Sequence, residues 1–362
     1  MTQLSFSAVQ KYKTCPKMYQ LHYQDRLRSD KIGSPLLFGN AIDEALNVLL
    51  LKKKKILTEE EKALSSLDPK QIFDRVFTYQ LVNGEQEDMP TSLFLEYYKS
   101  DFDADLLDDE DILRIKNYIK LAGYEETDPF KLRDEIEDNK KNGDINSADL
   151  AYYNLCSWLS LRRKGFMMLE KYEEAILPMI EEVHSIQRKV ELPNEKGDKL
   201  IGLIDFEATF VGKEGIYTVD NKTSSRKYKA SDVNDKGQLV LYDEFTENGK
   251  GAYCVLLKKV KKNKIKRCDD CDVIETGRKI NCPSCKEKFV NIIIENEIEF
   301  QVLGKEIEEE SKDLLFDEIN DILERIEIKE FPEDRSACFQ FGKKCIYYDY
   351  CREGDTEGLV RG

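Results

Sequence analysis

The sequence contains no apolar run of about eighteen residues, the length a helix needs to cross a bilayer. Its first residues, Met1-Thr2-Gln3-Leu4-Ser5, have neither the basic stretch nor the apolar core of a signal peptide. The expectation is therefore an intracellular, cytoplasmic protein with no membrane partner. Basic excess is missing as well: 56 Lys and Arg against 71 Asp and Glu give a net charge of −15. That balance excludes a surface that holds nucleic acid by bulk positive charge, so any such contact has to be local. Tryptophan is almost absent, and the single one, Trp158, sits among apolar residues at helical spacing and reads as core.

What is present is an ordinary globular composition. The 362 residues, 41% hydrophobic and 35% charged, suffice for two or three domains and a substantial core. Ten cysteines in a reducing compartment do not suggest a disulfide framework. Four of them fall within 268–285 and three within 338–351, a clustering that points to metal ligands. Cys156 and Cys254 stand apart and read as small buried hydrophobes. Lysine runs at Lys52 to Lys55 and Lys258 to Arg267 fit either a solvated face or one that tracks phosphates.

The chemistry concentrates between Leu200 and Tyr242. Ile201 to Phe210 and Gly215 to Thr223 are rich in β-branched and aromatic residues and flank the turn Gly212 to Gly215, which predicts a hairpin. Asp205 and Asp220 then lie on neighbouring strands, able to share a cation. Period-2 alternation puts Lys222 on the face of Asp220. Mg²⁺ or a similar hard ion would hold two carboxylates there, whereas the plain alternative is a surface salt bridge. A helix over Val233 to Thr246 would carry Gln238 and Tyr242 on one face, as functional groups or as ordinary surface polar residues.

Elsewhere, Ser5 is placed to cap a helix running through Tyr12, and Cys15-Pro16 interrupts it before Met18-Tyr19 and Leu21 to Tyr23. A second helix, Phe38 to Leu46, carries Asp43, whose charge would also simply complement a helix dipole. From about Leu51 to Ile186 the pattern is helical, with segments at Leu93 to Tyr98, Asp111 to Ala122 and Leu150 to Ile180. Asp101 to Asp111 and Asp134 to Asp144 read as acidic connectors. This region is expected to shape or cover a cleft without supplying catalysts. The sheet is expected to begin near Gln187 to Leu192, to add strands at Gly251 to Val260 and Phe289 to Ile298, and to precede a helix at Glu306 to Ile326. The resulting division is 1–50, an N-terminal part of the core; 51–186, a helical subdomain; and 187–362, the rest of the core. The last part includes a zinc ribbon at 265–288 and a cysteine-rich C-terminal staple at 336–352.

Two CxxC knuckles, Cys268/Cys271 and Cys282/Cys285, place four thiolates around one tetrahedral Zn²⁺ at about 2.3 Å. The ribbon would supply folding energy and a contact to DNA or protein. In the tail, Cys338, Cys345 and Cys351 lack a fourth ligand, for which Cys15 is the candidate; the set suits an iron–sulfur cluster or zinc.

Taken together, these residues resemble the PD-(D/E)XK nuclease superfamily, in particular its RecB-like branch with the AddB-type and CRISPR-adaptation exonucleases. Cys15-Pro16, Gly39 to Asp43, Gly202 to Asp205, Asp220 to Lys222, Gln238 to Tyr242 and the three late cysteines match its pattern in order. The resemblance implies an α/β restriction-endonuclease-like core, a mixed central sheet flanked by helices, here with a helical insertion and an inserted zinc ribbon. It implies Mg²⁺- or Mn²⁺-dependent hydrolysis of DNA, single-stranded or with free ends, in recombination, repair or phage DNA metabolism, alongside a helicase or recombination partner. Asp205, Asp220 and the Asn221 carbonyl would hold metal, Asp43 a second ion or its water. Lys222 would orient the attacking water, and Gln238 and Tyr242 would position the strand or Lys222. The late cysteines with Cys15 would hold a [4Fe–4S] cluster. Two departures stand out. Asp43 occupies the branch's usual histidine position, though aspartate is also an oxygen ligand. Cys338 and Cys345 are six residues apart where two is commoner, which keeps zinc, or no cluster, open. The rival expectation is a catalytically decayed scaffold that uses its ribbon to bind nucleic acid.

Overall fold

Strand β1 (Gln3–Ser5) runs directly into helix α1 (Phe6–Thr14), and the Ser5 hydroxyl accepts the Ala8 amide at 3.2 Å as the expected cap. The computed structural model describes residues 3–361 apart from 79–80, 83–84, 87–94, 125–127, 194–197, 269, 272, 276–279, 290 and 343. Cys15 is extended, and Pro16 starts a short turn of helix as a first-turn proline can. Helix α2 (Ser34–Leu51) is longer at both ends than Phe38 to Leu46, because Pro35 fits its first turn and Leu49 to Leu51 continue the buried stripe.

The helical region consists of α3 (Pro69–Thr78), α4 (Asp109–Leu121), α5 (Pro129–Lys141) and α6 (Ser147–Lys171). Asp134 to Asp144 is not a connector: most of it is the second half of α5. Leu132, Arg133, Ile136 and Glu137 recur at helical spacing and are buried, so the acids there are the helix's wet face. The Asp101 to Asp111 stretch is a connector only to Asp108, which caps α4 by accepting the Asp111 amide at 2.9 Å. Leu93 lies outside the described residues; Leu95–Glu96 is a short strand paired with Ile32–Gly33 rather than helix. Trp158 is core, 3% exposed. Gly165 lets α3 and α6 touch, since a Cβ there would sit 2.2 Å from Cζ of the buried Phe73. Gly165→Ala should therefore cost about 1–3 kcal/mol, read as a lower denaturation midpoint with an unchanged m-value.

Pro178 ends the helical run after α6, and strand β2 (Ile180–Pro193) starts well before Gln187. It pairs antiparallel with β3 (Lys199–Phe210), the first arm of the expected hairpin; the second is β4 (Tyr217–Ser224). Gly212 and Gly215, at φ 71° and 83°, supply the left-handed backbone of the turn between them. Next comes a parallel neighbour, β5 (Lys250–Arg267), and its antiparallel partner β6 (Asn291–Glu306), completing a mixed sheet. Both faces of the sheet are covered. In β5, Ala252, Cys254 and Leu256 join the core with α2 and α6. Tyr253, Val255 and Leu257 join the core with α1, α7 (Gln238–Thr246) and α8 (Glu309–Glu327). The Val233 to Thr246 helix is broken, because Gly237 takes φ 73° and α7 restarts at Gln238.

Beyond Val260, β5 and β6 continue as a two-stranded arm to Arg267 and Asn291, and Phe289 packs with Cys268 and Cys282 rather than in a strand. The lysines of the runs are largely spoken for. Lys262 binds Asp103 at 3.1 Å and also Asp105, while Lys52, Lys54 and Lys55 each pair with a glutamate. Leu359–Arg361 pairs with Leu27–Ser29, tying the tail to the N-terminal segment. Among the described residues no helix is long and apolar enough to cross a membrane.

Candidate metal and active site

The site lies where β3 changes partners. Along one edge, residues 199–201 pair with β1 and residues 206–208 with β4, so the strands part at Asp205. Continuing the β3–β4 register would set Asp220 opposite it. Instead of a further ladder bond, Asp205 Oδ2 accepts the Asn221 amide at 2.8 Å.

Asp220 is 1% exposed and is the hub of the site. The Lys222 ammonium reaches both its oxygens, at 2.9 and 2.7 Å, and Gln238 Nε2 donates to Oδ1 at 2.9 Å. Oδ2 makes no hydrogen bond among the described residues and faces only that ammonium. Gln238 opens α7 and also donates to the Tyr242 hydroxyl at 3.1 Å. A Cβ at Gly202 would stand 3.0 Å from the Tyr242 ring, so glycine there is what lets α7 close over β3. The Gly202–Asp205 and Gln238–Tyr242 motifs are therefore two sides of one contact.

Electrostatics bind the three carboxylates into one problem. Burial and then the charge of Asp220 push Asp43 up to about 7, with Lys222 opposing. Burial, Asp220 and Asp43, in that order, push Asp205 well above the carboxylate range. Asp220 is also raised by burial, although Lys222 pulls it down. For Lys222, burial works against the charge, but Asp220 holds the ammonium firmly protonated. Three enclosed carboxylates face one cation. Among the described residues these three carboxylates do not gather within 4.8 Å of one another, but a divalent oxygen-seeking ion would supply the missing charge, and ligands of this chemistry suit Mg²⁺ or Mn²⁺.

Sequence patterns gave no sign of Tyr172. It is fully buried just past α6, and its hydroxyl donates to Asn221 Oδ1 at 3.3 Å. This fixes the Asn221 side chain beside Asp205. Tyr172 is a lone polar tip on an apolar stripe, which is why spacing alone hid it.

The ribbon sulfurs of Cys268, Cys271, Cys282 and Cys285 lie within 4.8 Å of one another, with Cys268 and Cys285 3.5 Å apart. Four thiolates on one tetrahedral Zn²⁺ would be separated by about 3.8 Å, so the cluster fits that ion. Backbone amides, that of Cys285 first, pull the Cys282 thiol down, while Cys268 and Cys271 are pushed up, by burial first for Cys268 and by Cys285 first for Cys271, so the four thiols share their protons unevenly. Cys282→Ser should abolish stoichiometric zinc in elemental analysis and open the arm's tip to proteolysis. Cys15, Cys338, Cys345 and Cys351 do line one cavity, together with Tyr347 and Arg352. Among the described residues only the ribbon gathers three or more such ligands within 4.8 Å, so the terminal sulfurs are set wider.

A sequence model of the PD-(D/E)XK nuclease superfamily matches residues 3–352. No curated protein matches the chain.

Proposed function

The chain belongs to the PD-(D/E)XK nuclease superfamily, and on that basis we propose that the fork between β3 and β4 hydrolyses DNA phosphodiesters. The observation that carries this reading is the buried Asp220, bonded at once to Lys222 and Gln238 beside Asp205. Asp205, Asp220 and the Asn221 carbonyl would hold Mg²⁺ or Mn²⁺, and Asp43 a second ion or its water. When bound, such ions polarise the scissile phosphate and lower the pKa of the attacking water. Lys222, kept protonated by Asp220, donates to the phosphoryl oxygens as their charge grows and orients the water. Gln238 fixes the direction of the Asp220 carboxylate, and Tyr242 braces Gln238. The intact Asp220–Lys222 pair speaks against a decayed scaffold.

The order of the motifs supports placement in the RecB-like branch and, with it, action on free ends or single strands. A helicase or recombination partner would be consistent with that action. The terminal cysteines, gathered on one cavity, would hold an iron–sulfur cluster or zinc and so tie the two ends of the chain together. Linear and circular single strands, offered with Mg²⁺, Mn²⁺ or chelator, test the substrate. Linear DNA should be degraded only with metal, while equal loss of circles would overturn the exonuclease reading.

A further inference from the structure

A second concavity, of about 640 Å³, opens between the helical region and the sheet. Its walls come from the start of α2, the Tyr98 to Asp103 segment, α6, Ser225 just past β4 and Lys258 of β5. Leu257, the residue before Lys258, pairs with Ser224, two positions beyond Lys222. At about 3.3 Å per residue the cavity begins within about 10 Å of Lys222, within reach of a strand cut at the fork.

Lys164 of α6 lines this cavity with only 6% of its surface exposed, and it has no hydrogen bond or ion pair among the described residues. Lys258 lines it too, its ammonium 5.8 Å above the Phe38 ring and likewise without an ion-pair partner among the described residues. Burial depresses both lysines below their usual pKa; Asp101 opposes this for both and Asp103 for Lys164, while the charge of Lys164 further depresses Lys258. The nearby acids divide their contacts. Asp101 accepts the Ser34 hydroxyl and the Tyr98 amide, the latter at 2.7 Å, and Asp103 is held by Lys262. Asp101 is then the carboxylate that acts on both lysines, and two ammonium groups sharing it leave a positive charge in the cavity that an anion would balance. Beside them the exposed Pro35 and the half-buried Tyr98 ring offer an apolar and aromatic wall of the kind on which a base stacks, with Phe38 buried behind it.

We infer that this cavity is a nucleotide subsite. Lys164 and Lys258 take a phosphate of the strand cleaved at the fork, and the apolar wall takes its base. The helical region thereby contributes to substrate binding, and the choice of a nucleic-acid phosphate rests on the nuclease reading above. The phosphate can be internal or terminal, and the substrates distinguish these sources.

The test uses the full chain in chelator, with fluorescent single-stranded oligonucleotides bearing a 5′-phosphate, a 3′-phosphate or neither. Lys164→Met/Lys258→Met keeps the aliphatic stems, and Lys258→Met alone serves if the pair fails to fold. Binding measured by anisotropy should weaken at least tenfold in the pair, with a shallower salt dependence, while Asp220→Ala still binds. Melting of the unliganded pair should be unchanged or raised, which a merely structural role would not give. Preference for one phosphorylated end identifies a terminal phosphate, and equal binding of all three an internal one. Folded lysine variants that bind as tightly as wild type overturn the subsite. A wild type that binds this way yet never cleaves would sink the nuclease reading and leave the subsite standing.

Discussion

Lys222→Ala should lower kcat on DNA by about 10²–10³-fold, the loss seen when one preorganised donor to a developing oxyanion is removed. The same substitution strips Asp220 of the one counter-charge it has among the described residues, in a site where that carboxylate is 1% exposed. Metal-free Lys222→Ala should then lose about 3 kcal/mol of stability, the low end for a broken buried pair. The low end applies because Lys222 keeps 31% of its side chain in solvent. Bound metal should restore most of that loss, since it supplies charge to the same carboxylate. Activity should not return with it. A variant stabilised by Mn²⁺ yet inactive separates the lysine's role at the phosphate from its role in holding Asp220.

Asp220→Ala should be more severe. It removes the acceptor shared by Lys222 and Gln238, and with it a proposed metal ligand, so Lewis-acid stabilisation worth several kcal/mol goes too. The expected loss is on the order of 10³-fold or more in kcat/KM. Stability against pH gives an independent check. Folded Asp43 is raised to about 7 from an unfolded value near 4, and Asp205 and Asp220 move the same way. The folded state holds these protons more tightly than the unfolded one. Metal-free wild type should therefore be best supported by these groups below pH about 4, with that support lost as pH rises through about 7. Metal binding requires the ionised carboxylates, so the rise in Tm on adding Mn²⁺ should be larger at pH 8 than at pH 5.5. At 100 times Kd the added stabilisation should approach about 2.7 kcal/mol. Asp220→Ala should show little of that rise at either pH.

Much of the site was legible because its chemistry follows short-range periodicities. Asp220 and Lys222 share a strand face, Gln238 and Tyr242 a helix face, and two CxxC knuckles need only their own loop. Asp43 could be placed only through its resemblance to a motif, and the structure brings it into the field of Asp220 from a separate helix. Contacts made by single polar residues on apolar stripes were not legible. Tyr172 on Asn221 and Lys164 in the second cavity carry no pattern, because each is one side chain in a long helical run whose spacing reports only burial. The acidic density at Asp134 to Asp144 misled for a related reason. Charge on the wet face of α5 outnumbers the four buried positions that define the helix.

The central claim is that the Asp205–Asp220–Lys222 fork is a metal-dependent phosphodiesterase. End-labelled single- and double-stranded DNA, incubated with purified wild type, Asp220→Ala and Lys222→Ala over a range of Mg²⁺ and Mn²⁺ concentrations, addresses it directly. The account predicts cleavage by wild type only when metal is added, and at least 10²-fold slower cleavage by either variant at every concentration. Wild type and both variants cleaving at equal rates, or all three inert with every metal, would contradict it.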